Sequence, residues 1–265
     1  MTQNDSPVWF ITGCSKGFGK ELAKLVLARG WRVVATARNP EQLKGIFATP
    51  QERAVVLQLD VTDQAQIAQA VEQAERKFGR IDVLVNNAGY GYLAAVEEGE
   101  DEQVRAMFET NFFGAVALTN AVLPGMRRRR SGRIVNVSSI GGLVSFGATG
   151  YYHATKYALE GLSESLAIEL APLGIKVMIV APGPFRTEWA GQSLLESKSR
   201  IGDYDATAGK RRMQTHERNG KQEGDPVRGA EAIIAAVSSE NPPLRQESPA
   251  LRQRHWMRKH PVDLA

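Results

Sequence analysis

Val8-Trp9-Phe10-Ile11-Thr12-Gly13-Cys14-Ser15-Lys16-Gly17-Phe18-Gly19 is the stretch on which the reading of this chain turns. A short apolar run ends in a turn holding three glycines and passes straight into an amphipathic segment, Phe18 to Arg29, closed by Gly30. Glycine lets the chain reverse sharply and lets a phosphate reach the backbone amides at a helix N-terminus. The spacing is G-x-x-x-G-x-G, unlike the commoner G-x-G-x-x-G fingerprint. A plain strand-to-helix turn is the lesser alternative for the segment on its own.

Five more apolar runs follow: RVVATA (32–37), AVVLQL (54–59), DVLVNN (82–87), RIVNVS (133–138) and KVMIVA (176–181). Each is rich in Val or Ile and barely alternates, the pattern of strands covered on both faces. Helical patterns separate them: 62–78, 101 to about 129, and 150–171, with another over 226–238 behind Pro226. This alternation predicts an α/β fold, a doubly wound (Rossmann) parallel sheet of six or seven strands with helices on both faces. Residues 1–265 are read as a single domain. The polar stretch 185–225 is expected to be a mobile substrate-binding segment, and 240–265 an irregular C-terminal tail without a convincing strand.

At 265 residues, 43% hydrophobic and 23% charged, the chain is an ordinary globular length and composition. Its net charge of +4 is concentrated in Arg127 to Arg130. A helix C-terminus explains that cluster better than a nucleic-acid patch, because no aromatic platform accompanies it. The single cysteine, Cys14, excludes an intrachain disulfide and favours a reducing compartment. No secretory leader, membrane span or metal-ligand spacing is read, so a cytoplasmic location is expected, with no nucleic-acid or membrane partner.

The end of the second strand discriminates between nicotinamide cofactors. An acid there suits the ribose 2′-OH of NAD, and an arginine suits a 2′-phosphate. This chain has Arg38, with Lys16 as a second cation in the glycine turn, which favours NADP(H) over NAD(H). Asp60, at the end of the third strand, is suited both to bonding adenine and to capping the next helix. Asn86-Asn87-Ala88-Gly89 leaves room for a flat ligand close to the backbone, or for a simple turn.

Tyr152 and Lys156 stand four apart on one helical face. A cation beside a phenol favours the phenolate, so Tyr152 is a candidate acid-base group with a lowered pKa. Ser138 and Ser139 end the fifth run, where ligands of open parallel sheets bind. Asn111, within an apolar helical pattern, marks a local irregularity, a polar relay or a satisfied buried amide.

In this order and spacing the motifs resemble the short-chain dehydrogenase/reductase family, in its single-domain, NADP-preferring branch. The matching pieces are TGCSKGFG (12–19), LDVT (59–62), NNAG (86–89), Asn111, SS (138–139), YHATK (152–156) and PGPFRT (182–187). The resemblance implies a catalytic set of Asn111, Ser139, Tyr152 and Lys156, with Ser139 preferred because it lies thirteen residues before Tyr152. It implies a cofactor site built from Gly13, Ser15, Lys16, Gly17, Phe18, Gly19, Arg38, Asp60, Val61, Asn87, Ala88, Gly89, Tyr152, Lys156, Pro182, Gly183 and Thr187. It further implies hydride transfer between NADP(H) and an alcohol/ketone or aldehyde pair, and a homodimer or homotetramer. Tyr92, Phe185 and Trp189, with Ser139 and Tyr152, are the candidate substrate contacts and suggest an apolar carbonyl compound. The alternative is a silent dinucleotide-binding sensor. After PPLR (242–245) the chain departs from the family's apolar continuation, which puts a seventh strand in doubt.

Overall fold

The computed structural model describes residues 6–44 and 52–247. Within them the first apolar run forms β1 (Val8–Ile11), and the glycine turn leads into α1 (Gly17–Ala28). There follow β2 (Arg32–Ala37), β3 (Ala54–Gln58), α2 (Gln64–Phe78) and β4 (Val83–Asn86). Asp63 caps α2 by accepting from the Ala65 and Gln66 amides, and Gly79 ends it at φ 77°. The short β5 (Gly91–Leu93) precedes α3 (Asp101–Phe108), which runs through a π turn (Glu109–Phe113) into α4 (Gly114–Arg129). The chain continues with β6 (Gly132–Val137), α5 (Gly150–Leu170), β7 (Ile175–Ala181), β8 (Leu194–Glu196), α6 (Lys210–Glu217), α7 (Pro226–Ser238) and β9 (Arg245–Glu247).

Seven strands form one parallel sheet in the order β3-β2-β1-β4-β6-β7-β9. Chain direction through the sheet reverses between β1 and β4, which makes their carboxyl ends the switch point where ligands of such sheets bind. Both faces of β1 are covered. Val8 and Phe10 pack with Ile67, Val71, Leu118 and Leu166 from α2, α4 and α5. Trp9 and Ile11 pack with Leu22 and Val26 of α1 and Ile233 and Ile234 of α7. Each large side chain buried this way stabilises the fold by about 1.5–3 kcal/mol.

Two expectations need correction. The stretch after PPLR does contribute a seventh strand: β9 pairs with β7 in the register Ile179↔Arg245, Val180↔Gln246, Ala181↔Glu247. An edge strand is held by main-chain bonds on one side, so the polar Arg-Gln-Glu sequence does not prevent it. The remainder of the tail lies outside the described residues. The long helix expected over 101–129 is interrupted at Asn111, the residue flagged as irregular, by the π turn. The arginine cluster closes α4, with Arg127, Arg128 and Arg129 in its last turn. No helix among the described residues is long and apolar enough to cross a membrane.

Candidate active site

The glycine turn is built by close approach. Gly13 adopts φ 69° and Gly17 φ 57°, conformations that suit glycine. A Cβ on Gly19 would lie 2.4 Å from the Gly13 carbonyl oxygen and 2.6 Å from the Asn87 amide nitrogen. Thr12 ties the turn to the end of β4: its hydroxyl accepts from the Asn87 and Ala88 amides, each at 2.9 Å. The Asn87 side chain donates back to the Thr12 and Gly13 carbonyls at 2.8 and 3.2 Å. Cys14, buried inside the turn, donates its amide to Thr36 O of β2. Burial pushes its thiol up to about 12, despite a backbone hydrogen bond to Thr36 that opposes the rise.

This turn has the donor chemistry of an anion site. No side chain caps the start of α1, and its first turn holds no acid. The Glu188 carboxylate accepts from Gly17 N at 3.2 Å, so the turn already receives an anionic oxygen. Arg38 follows β2 directly and Lys16 precedes α1, and neither makes an ion pair among the described residues. Phe18, in the first turn of α1, stands edge-on to Phe185 with ring centroids 4.8 Å apart. Asp60 bonds the Thr62 amide and hydroxyl at 3.0 and 2.8 Å, whereas Asp63 caps α2. A dinucleotide phosphate therefore fits the residues at this end of the sheet.

At the end of β6, Ser138 and Ser139 separate sharply. Ser138 Oγ is buried without a hydrogen-bond partner among the described residues, while Ser139 is only partly buried and accepts from Gly141 N at 3.0 Å. Tyr152 enters the site from the first turn of α5, where the Ser139 hydroxyl is near enough to act on its phenol. Lys156, one turn on, donates to Val137 O at 2.8 Å, with Nζ 5.8 Å from the Tyr152 ring centre. Gly89 lies between Lys156 and Asn111: a Cβ there would sit 3.7 Å from the lysine Nζ and 3.0 Å from Asn111 Oδ1. Asn111 is buried in the π turn, accepts from Tyr90 N at 3.0 Å and donates to Tyr90 O at 2.8 Å. Serine, tyrosine, lysine and asparagine thus converge beside the glycine turn.

The protonation states differ from the expectation that the lysine would lower the tyrosine. Burial raises the Tyr152 phenol to about 12, and the nearby Ser139 hydroxyl opposes this only partly. Burial also lowers Lys156 to about 8, opposed by the charge of Glu160. Desolvation penalises the charged form of both groups. At neutral pH the phenol keeps its proton and the lysine remains mostly ammonium.

The substrate-side residues are not all gathered. Trp189 stacks at a tilt 5.3 Å from the Tyr152 ring. Tyr92 belongs to the same apolar cluster but is fully buried, its hydroxyl donating to Glu100 at 3.3 Å. Phe185 instead packs on Phe18, against the side of Gly229 in α7. Pro182 O receives the Ile140 amide, Gly183 follows it, and Thr187 caps the short turn 188–190. Residues 194–196 pair with 91–93 as a small parallel sheet, which fastens the segment after Trp189 beside Tyr90 and Tyr92.

Some contributors escaped the sequence. Asn86 donates to Asn136 at 2.8 Å and to Thr119 at 3.1 Å, and Asn136 donates to Ser163 at 2.8 Å. This buried network joins β4, β6, α4 and α5 below the site, and nothing in spacing along the chain announces it. Glu160 was discoverable, since it continues the four-residue period of Tyr152 and Lys156.

This fold and constellation define a nucleotide-dependent oxidoreductase of the Rossmann type. The model of the short chain dehydrogenase family matches residues 7–197, and the chain belongs to that family. It is 40% identical over 239 residues to Oxidoreductase BOA17 of Botryotinia fuckeliana (strain B05.10), covering 90% of this chain and 87% of the relative. It is likewise 40% identical over 236 residues to 3-ketodihydrosphingosine reductase of Bacteroides thetaiotaomicron, covering 89% and 85%. Among solved structures, a short-chain dehydrogenase from Streptomyces avermitilis superimposes with a TM-score of 0.88 at 40% identity, over 97% of this chain and 93% of the other.

Proposed function

We propose that this chain is an NADP(H)-preferring oxidoreductase that reduces an apolar ketone or aldehyde, or oxidises the corresponding alcohol, with Tyr152 as its acid-base group. The carrying observation is the convergence of Tyr152 and Lys156, Nζ 5.8 Å from the phenol ring, with Ser139 and Asn111 at the carboxyl ends of the strands beside the glycine turn. When bound, the nicotinamide supplies the hydride. The phenol, protonated at neutral pH, hands its proton to the carbonyl oxygen, and Ser139 orients that oxygen with its hydroxyl. Lys156 supplies positive charge behind the phenol, and Asn111 holds the Tyr90 backbone in place.

Gly13, Ser15, Gly17, Gly19, Asn87, Ala88 and Gly89 would hold the dinucleotide, with Phe18, Asp60, Val61, Pro182, Gly183 and Thr187 around it. Lys16 and Arg38, neither of which has an acidic partner among the described residues, support a 2′-phosphate. Trp189 against Tyr152 supports an apolar substrate, in keeping with the ketone named for the Bacteroides relative. Residues 185–225 are proposed as the substrate-binding segment of a one-domain protein. A cytoplasmic homodimer or homotetramer is the expected state.

Tyr152→Phe tests the chemistry. It should retain NADPH binding and lose turnover of a hydrophobic carbonyl panel by at least a hundredfold; undiminished turnover would overturn the assignment. NADPH should bind more tightly than NADH, and Arg38→Asp should reverse that order. Equal affinities in the starting protein would defeat the cofactor preference.

A further inference from the structure

Tyr152, Lys156, Glu160 and Glu164 occupy successive turns of α5 on one face, so a phenol, an ammonium and two carboxylates form a single row. Glu160 is deeply buried, with a side chain 7% exposed, and Arg245 reaches it from β9. The Arg245 Nε donates to Glu160 Oε2 at 2.8 Å, and its Nη2 lies 2.7 Å from the same oxygen. Nη2 also donates to Glu164 Oε1 at 2.6 Å, where the glutamate side chain is 54% exposed. The other Glu160 oxygen, Oε1, is buried with no hydrogen-bond partner. Gly142 explains how the carboxylate fits there: a Cβ would lie 2.9 Å from Glu160 Cγ and 2.6 Å from Ser138 Oγ.

Fastening β9 to α5 does not require this arrangement. The exposed Glu164 could hold Arg245 alone, without the desolvation cost that burying a second carboxylate carries. The buried acid lies one turn from Lys156, and its charge acts on that ammonium. The other groups facing Nζ are the Val137 carbonyl of β6, Gly89 with the Asn111 amide of the π turn, and Tyr152 of α5. Of these only Tyr152 is titratable, and it stays neutral until strongly alkaline pH. Arg245 and Glu164 stand behind Glu160.

We propose that Glu160 is a positioning residue whose carboxylate supports the Lys156 ammonium one turn away, and that Arg245 of the terminal strand holds that carboxylate in place for the task. The link to catalysis rests on the function proposed above; the charge state of the lysine does not. The row thus makes the last strand of the sheet part of the electrostatics of the active site. β9 is then more than an edge that completes seven strands.

The test is an NMR titration of the full-length protein with 13Cε-labelled lysine, the Lys156 signal being assigned by its loss in Lys156→Arg. Glu160→Gln should lower the Lys156 midpoint by about half a unit or more, roughly a threefold change in its dissociation constant. Glu164→Gln, which removes one bond of the same clamp, should leave the midpoint within about 0.2 units, because its charge is exposed and screened. Glu160→Met removes the charge at similar volume and serves if Glu160→Gln fails to fold. In turnover of a hydrophobic ketone with NADPH, the alkaline limb of kcat/KM should move down in the same variant and not in Glu164→Gln. An unchanged Lys156 midpoint in Glu160→Gln, or equal shifts in both glutamine variants, would overturn the proposal. A shifted midpoint in a protein that reduces no carbonyl would leave this inference standing and remove the enzymatic one.

Discussion

Replacing Gly19 with Ala adds one methyl group at the tightest point of the glycine turn. Ordinary carbon–oxygen contact begins near about 3.3 Å, and the added carbon would stand 2.4 Å from Gly13 O and 2.6 Å from Asn87 Nδ2. Something must retreat by nearly an ångström. Neither neighbour is the loose end of a flexible chain: one is the main chain of the turn, the other an amide bonded to Thr12 O and Gly13 O. Overpacking of this kind costs about 1–3 kcal/mol, and disturbing the asparagine adds about 1 kcal/mol. Urea unfolding followed by tryptophan fluorescence should therefore show a lower midpoint at unchanged slope. NADPH titration should show affinity weakened at least tenfold, since about 1.4 kcal/mol suffices for that. Gly161→Ala is the internal comparison. It lies mid-helix in α5 with nothing within 4 Å of its added carbon, so helix propensity should raise stability by about 1 kcal/mol. If Gly19→Ala unfolds at the starting midpoint and binds NADPH equally well, close approach is not what the turn requires.

Two further outcomes follow from buried titratable groups. Burial, helped by the Arg211 guanidinium, pushes His153 down to about 4, against about 6.5 in an unfolded chain. Its stabilising contribution is therefore complete above pH 6.5 and is lost as pH falls toward 4. His153→Gln should flatten the loss of stability across that window, and parallel pH curves for the two proteins would refute it. The Cys14 thiol, raised to about 12, holds almost no thiolate at pH 8. Iodoacetamide should label it only when urea unfolds the chain; labelling of the native protein at the rate of a free thiol would contradict the buried turn.

What was legible in the sequence follows physical lines. The six long strands were readable because burial on both faces requires uninterrupted apolar runs, and each lies within a residue or two of its expected limits. α7 was readable from Pro226 at its start and α2 from its helical pattern and the glycine behind Phe78, although the cap falls on Asp63 and not on Asp60, the candidate read from the sequence. β9 was not, because one-sided pairing leaves no hydrophobic imprint on Arg-Gln-Glu. β5 and β8 were not, being three residues each and created by a contact across a hundred positions. Within the site, Tyr152 and Lys156 were legible as a helical pair, and Ser139 by its distance from Tyr152. Their protonation was not, because desolvation depends on what surrounds a group rather than on which residue stands four places away.

The π turn at Glu109–Phe113 also constrains length. Such a turn accommodates one residue beyond the regular helical repeat, and each residue of an α-helix advances the direction of its side chain by about 100°. Deleting a single residue between Glu109 and Phe113 would let the two helical segments fuse into one unbroken rod that keeps the Leu118–Val122–Met126 face in register but draws Asn111 out of the wide turn that aims it at Tyr90. Substitutions in this stretch alter chemistry one group at a time, whereas a one-codon gap would spare the hydrophobic core and displace the asparagine alone.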